Sequence, residues 1–158
     1  IPHVAGLGLA DAADAEFTFI PYAGSAPTFK AMLDGSVDMF VAHISFLTQN
    51  ADQVKSIAML TDERVSTAED LPTAADQGVP AHFPIWGGLV APKGIPEEAR
   101  TALEAACEAG MNSQAFGERM AALRMPIAFM DGPTFADFVQ AEFEKNDALL
   151  TAAGLKAE

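Results

Sequence analysis

Three short apolar runs limit what this chain can fold into: Phe17–Ile20, Val37–Ala42 and Val54–Leu60, the last mainly apolar after Lys55. Each is too short for a packed helix, and the two longer ones are mostly apolar rather than alternating, the pattern of strands covered on both faces. Between the runs lie helix signals. Ser25 is a good N-cap residue and Pro27 suits a first turn, which predicts a helix over Thr28–Leu33 that Asp34-Gly35 stops. A second short helix is expected from Ile44 to about Asn50, and His3–Asp14 reads as an opening helix loosened by Gly6 and Gly8. This β-α-β-α-β cadence predicts an α/β fold with a parallel sheet, right-handed crossovers and helices on both faces.

The second half changes character. Thr61–Leu71 is a polar, charged connection, Pro72–Gly78 reads as a short helix closed by glycine, and Val79–Pro84 is irregular with two prolines. Ile85–Pro92 is expected to be a strand with two glycines, long enough to run from one body into another. Helices follow. Pro96 with Glu97 and Glu98 opens one with carboxylates at the positive end of its dipole, and Ala99, Leu103, Ala106, Cys107 and Gly110 form its apolar face. Cys107 is therefore expected to be a buried structural thiol. Ser113–Leu123 predicts another helix, Ile127–Met130 a short strand, and Pro133–Ala153 a long helix with the stripe Phe135, Phe138, Val139, Phe143, Leu149 and Leu150 and Gly154 as its C-cap.

Charge narrows the function. Twenty-two acidic against nine basic residues give a net charge of -13 over 158 residues, which excludes a nucleic-acid binder, since neutralising phosphates needs clustered Lys and Arg. The acids are spread: eleven acids and three bases give -8 over residues 1–80, and eleven acids and six bases give -5 over 81–158. No apolar stretch approaches the ~18–20 residues of a membrane span, so no direct membrane insertion is expected. Cys107 is the single cysteine, so no internal disulfide forms. The chain opens Ile1-Pro2-His3-Val4, without initiator Met or leader pattern, which reads as a processed protein or a piece of a longer one.

Catalytic and cofactor patterns are scarce. The sequence has no Cys/His zinc spacing, no Gly-x-Ser-x-Gly elbow, no phosphate-binding Gly-x-x-x-x-Gly-Lys and no Gly-x-Gly-x-x-Gly after a strand. His3, His43 and His82 fall in three separate segments, so no local metal site is expected, and the chain reads as a binding protein without a cofactor rather than an enzyme. Two places could hold a ligand. Tyr22, Ala23, Gly24, Ser25, Ala26 and Pro27 close one apolar run and open a helix, where free N–H groups beside small side chains suit an anion; the alternative is that Ser25 only caps its own helix. Ala42 and His43 end the next run, where open α/β sheets place their crevices.

Five separated stretches share an order and spacing. They are Phe19–Pro27, Leu33–Asp38 (Leu-Asp-Gly-Ser-Val-Asp), Asp70–Gly78 (Asp-Leu-Pro-Thr-Ala-Ala-Asp-Gln-Gly), Trp86–Pro96 (Trp-Gly-Gly-Leu-Val-Ala-Pro-Lys-Gly-Ile-Pro), and Phe135–Phe138 leading to Ala153-Gly154-Leu155-Lys156. Together they resemble the solute receptors of tripartite tricarboxylate transporters, the Bug-type extracytoplasmic binding proteins. The resemblance implies a type II periplasmic-binding-protein fold, a two-lobed Venus flytrap with a parallel or mixed sheet. It also implies a periplasmic location, a small organic acid as ligand and the permease subunits of a tripartite transporter as partners.

By the same resemblance the chain matches the C-terminal half of such a receptor, with residues 1–84 as most of the second lobe, 85–92 as a hinge-crossing strand and 93–158 as helices returning to the first lobe. The signal peptide and the first half would lie outside this sequence. Tyr22, Gly24, Ser25 and Ala26 match a cleft-facing Pro-Tyr-x-Gly-x-x-Pro segment, Trp86 matches an aromatic near the hinge, and Ala42 and His43 stand where the family lines its cleft. That position often carries an acidic or amide side chain in the family, and Ala42-His43 departs from it. A receptor serving a signalling partner, or an enzyme on an α/β scaffold, are the alternatives.

Overall fold

A computed structural model describes residues 2–155; Ile1, Lys156, Ala157 and Glu158 lie outside the described residues, and with them the last residue of the Ala153–Lys156 motif. Among the described residues six α-helices follow in chain order: α1 (Pro2–Ala12), α2 (Ser25–Leu33), α3 (Ile44–Gln49), α4 (Glu97–Met111), α5 (Gln114–Ala122) and α6 (Gly132–Ala152), with a 3-10 turn over Ala75–Gln77. Local chemistry explains their ends. Ser113 caps α5 by accepting from Phe116 N, and Asp131 caps α6 by accepting from Thr134 N at 2.9 Å. Gly35 and Gly154, at φ 80° and 66°, end α2 and α6 in the left-handed region that glycine occupies without cost.

Several expectations are corrected. Ser25 is the first residue of α2 rather than its N-cap, which is Gly24, and Pro96 is the N-cap of α4 rather than a first-turn residue. The helix expected over 72–78 shrinks to the 3-10 turn. Cys107 is half-buried, with Sγ 4.0 Å from Met111 Sδ, and Leu103 on the same face is 51% exposed, so this face is only partly covered among the described residues.

The largest difference concerns the strands expected at 17–20, 37–42, 54–60, 85–92 and 127–130. Among the described residues the one pairing is a parallel bridge between Met59 and Thr73. A strand is defined by its neighbour, and composition alone cannot supply one. Met59 N–H donates to Pro72 O and Met59 O accepts from Ala74, both at 2.8 Å, and Phe83 N–H reaches Leu60 O at 2.9 Å. The other runs have no such ladder.

The buried apolar side chains among the described residues are all alanines: Ala5, Ala31, Ala68, Ala74 and Ala81. Small residues on α1 let rings approach its backbone. A Cβ on Gly8 would stand 1.8 Å from Phe83 Cζ, and one on Gly6 3.0 Å from Phe19 Cε1, so these glycines are packing positions. α1 packs on α6, and α4 on α5.

Two polar devices hold the loops. Thr73, fully buried, accepts from Asp76 N–H through Oγ1 at 2.9 Å, while Asp76 Oδ2 accepts from Thr73 N–H at 3.1 Å and from Arg64 Nε at 2.8 Å. The second joins residues 57 apart: Thr67 Oγ1 donates to Arg124 O at 2.7 Å, Arg124 Nε donates to Thr67 O at 2.9 Å, and the guanidinium pairs with Asp70. Arg124 itself sits at φ 56°, just past the end of α5, where Met125 N–H reaches back to Met120 O. A left-handed conformation costs a non-glycine residue roughly 1 kcal/mol, which these bonds offset.

Candidate functional site

The turn before α2 is built around Gly24, at φ 118° and ψ 179°, a conformation open essentially to glycine alone. Its carbonyl accepts from Thr28 Oγ1 at 2.8 Å, and a side chain at Gly24 would meet nothing within 4 Å. No side chain caps the start of the helix. Pro27 at the third helical position has no N–H, so the groups without a partner in the first turn are those of Gly24, Ser25 and Ala26. Ser25 does not cap its own helix, and its hydroxyl makes no hydrogen bond among the described residues. Tyr22, Gly24, Ser25 and Ala26 are all exposed.

His43 holds the corresponding place before α3. It is the N-cap, in an extended conformation, and its carbonyl accepts from Phe46 N at 2.9 Å. The imidazole is exposed, without a partner among the described residues, and Ala42 beside it is half-buried. A chain of rings links the two helix starts: Phe29 of α2 meets Phe46 of α3 edge-on at 5.0 Å, and Phe40 meets Phe46 at 5.3 Å.

Ala42 and His43 also line a cavity of about 470 Å³ with walls mainly from residues 38–47 and 54–61. That volume is within the range of small-molecule pockets, though the walls are chiefly aliphatic and aromatic. Asp38, His43, Lys55, Ser56, Thr61 and Gln77 bring polar groups to it. Lys55 and Gln77 were not singled out from the sequence, because Lys55 stands in a strand-like run and Gln77 in the Asp70–Gly78 stretch, which resembled the family without suggesting a ligand contact.

The seven expected ligand residues thus fall into three places. Tyr22, Gly24, Ser25 and Ala26 form the α2 turn, and Ala42 and His43 line the cavity, which the turn does not reach. Trp86 stands apart, packed edge-on against Phe135 at 5.6 Å and Phe138 at 5.4 Å on α6. Gly88 lets Phe135 lie against the chain there, since a Cβ would fall 2.2 Å from Phe135 Cζ. No cluster of three or more His, Cys, Asp or Glu that could hold a metal occurs among the described residues.

Carboxylates away from these places are held ionised by local bonds. The Arg124 guanidinium beside Asp70 lowers its carboxyl below the ordinary value, Thr73 N–H and Arg64 do the same for Asp76, and Thr134 for Asp131. They belong to the braces and caps rather than to a reacting centre.

Comparison with known proteins supplies the remaining information. A family model described as the tripartite tricarboxylate transporter family receptor matches residues 3–155. A UPF0065 protein from the tcbD–tcbE intergenic region of Pseudomonas sp. is 28% identical over 98% of this chain and 47% of its own length. The periplasmic binding protein BugD superimposes with a TM-score of 0.81 at 28% identity, over 99% of this chain and 54% of BugD. MatC from Rhodopseudomonas palustris, solved with bound malate, gives 0.78 at 26% identity, over 95% of this chain and 53% of MatC. The fold is that of these periplasmic binding proteins, and the chain spans about half the length of the curated relatives it matches.

Proposed function

The chain belongs to the tripartite tricarboxylate transporter receptor family, and from that premise we propose that it forms part of a periplasmic receptor that captures a small organic acid and delivers it to the permease subunits of a tripartite transporter. The observation that carries the ligand class is the trio of unpaired N–H groups at Gly24, Ser25 and Ala26. They offer a carboxylate three main-chain donors and the positive end of α2, an attraction of about 0.3–1 kcal/mol for an exposed helix terminus and up to about 2 kcal/mol when partly buried. This half carries a net charge of -13 and offers an anion no long-range attraction, so its contribution to capture rests on such local dipoles. At physiological salt the global field is screened within ~8 Å. The malate in MatC supports a carboxylate.

In this reading His43 reaches the ligand from the second loop, by ion pairing or ring stacking, with Ala42 leaving room beside it. Trp86 anchors the 85–92 segment to α6 near the hinge. Residues 1–84 contribute most of one lobe and 93–158 the helices returning toward the other. The Thr67–Arg124 brace and the α1–α6 packing cross that boundary, so the two portions move with limited independence.

Titration calorimetry of the full-length receptor with di- and tricarboxylates, amino acids and aromatic acids tests the assignment. Saturable binding of a carboxylate is expected, and Ser25→Ala should change it little, because main-chain groups do the binding. Absence of saturable binding to every acid in the panel refutes it.

A further inference from the structure

We propose that Arg124 is a positioning residue that closes the receptor: its bonds to Thr67 and Asp70 hold the Met125-Pro126 segment over the cavity beside Ala42 and His43, and they part before an occupant of that cavity leaves. The first observation is a conformation held against preference. Arg124 stands just past α5 at φ 56°, with Met125 N–H closing back on Met120 O at 2.9 Å, the position where helices commonly place glycine. Arginine gives up glycine's freedom there and gains a guanidinium engaged on two sides. Its Nε donates to Thr67 O at 2.9 Å, and a terminal nitrogen pairs with Asp70. Thr67 answers through Oγ1, which donates to Arg124 O at 2.7 Å.

The second observation is that the receiving loop is built without Arg124. Ala68 N–H donates to Val65 O at 2.8 Å and Leu71 N–H to Ala68 O at 3.0 Å, two consecutive turns around a buried Ala68. Thr67 and Asp70 are therefore presented by a formed loop, as Arg124 is by a formed helix end. The bonds between them can part and form again without either side unfolding.

The third observation is what these bonds position. Met125 and Pro126 follow Arg124 directly and line the cavity together with Ala42, His43 and Val65, so part of its wall belongs to the returning helices and part to residues 1–84. Drawing the two portions apart at Thr67 removes the Met125-Pro126 wall. A separate contact suits a pivot: Lys145 of α6 stands over the Phe83 ring at 5.0 Å and donates to His82 O at 3.3 Å, just ahead of the 85–92 crossing. The Phe83 ring in turn lies against Gly8 of α1. One contact turns while the other catches, as in hinged closure around a ligand. The proposal rests on the division at 85–92 but not on the ligand class, so a failed carboxylate titration leaves it standing.

Pulsed electron–electron double resonance on the full-length receptor, with every cysteine replaced by serine and no acid added, tests it. Spin labels go at the exposed positions of Lys30 on α2 and Glu118 on α5. The parent is expected to show a closed population at the shorter separation. Thr67→Val with Arg124→Gly removes the hydroxyl and the guanidinium, while glycine keeps φ 56° freely, and should lower the ratio of short to long separations by about fivefold or more. Thr67→Ser, which keeps the donor, should hold the parent's ratio. Asp131→Ala, which only uncaps α6, should lower the melting temperature without moving the ratio. If the double variant does not fold, Thr67→Val alone carries the test, with a smaller shift in the same direction. A single separation in the parent overturns the proposal, as does one ratio shared by the parent and the folded variants at Thr67 and Arg124. An equal shift in Asp131→Ala overturns it in favour of a general loss of stability.

Discussion

Replacing Gly24 by alanine isolates a backbone effect. At φ 118° and ψ 179° a Cβ is strained by its own main chain, whereas the space around it is empty to 4 Å, so no neighbour need move. Holding a non-glycine residue there costs about 1–3 kcal/mol. The turn has two responses. If it keeps its shape, the cost falls on folding, and at about 2–4 °C per kcal/mol for a chain of this size the melting temperature drops by about 2–12 °C. If it relaxes to negative φ, the N–H groups of Gly24 and Ser25 rotate away from their common target, and ligand affinity falls by roughly 5- to 150-fold. Scanning calorimetry and ligand titration of the receptor, read together, should recover the full cost. Gly87→Ala is the control: it also meets nothing within 4 Å but lacks the positive φ, so it should change neither property. A Gly24→Ala receptor that melts within about 1 °C of the parent and binds within twofold refutes the argument.

Gly8→Ala should destabilise by about 1–3 kcal/mol, since its Cβ would overlap Phe83 Cζ at 1.8 Å, and Phe83→Leu in the same chain should recover part of the loss in a urea titration. Asp131→Ala should cost about 0.5–2 kcal/mol through loss of the α6 cap, whereas Asp131→Asn, which keeps an acceptor for Thr134 N–H, should cost less in the same titration. Asp70 and Asp76 are lowered below the ordinary value of 3.8, so they contribute stability that is fully present above that pH and is lost as pH falls through their lowered values. Arg124→Ala should return Asp70 toward 3.8 in an NMR titration and leave Asp76 unmoved, because Asp76 takes its bonds from Thr73 and Arg64.

What the sequence revealed follows the range of the interactions involved. Helix ends were legible because their chemistry is local: Asp34-Gly35, Ser113 and Gly154 act within one turn of where they stand. The Thr73–Asp76 box was equally local, a Thr followed three residues later by Asp, and could have been read from that spacing. Strand pairing was not legible, since an apolar run such as Val37–Ala42 states a preference for burial but does not name its neighbour. Nor was the Thr67–Arg124 brace, whose members lie 57 residues apart with no motif around either. At the candidate site the turn before α2 was recognised as a helix start. The choice of Ser25 over Gly24 as its cap followed side-chain preference, whereas the backbone angle that only glycine adopts decided the outcome. Trp86 was recognisable as an aromatic near a chain crossing, but its partners Phe135 and Phe138 lie about fifty residues downstream.

The brace between Thr67 and Arg124 also bears on the order in which the chain acquires its structure. Closing a loop of 57 residues costs on the order of 3–4 kcal/mol in chain entropy, beyond the constant term, before any bond in it forms. α4 and α5, by contrast, lie wholly inside that loop and pack on each other through near neighbours in sequence. Their hairpin can form within the loop first, shortening the chain that remains to be closed. The guanidinium then fastens Thr67 and Asp70 late, on a pair of helices already built, so the brace acts as a clasp on folding rather than as its nucleus.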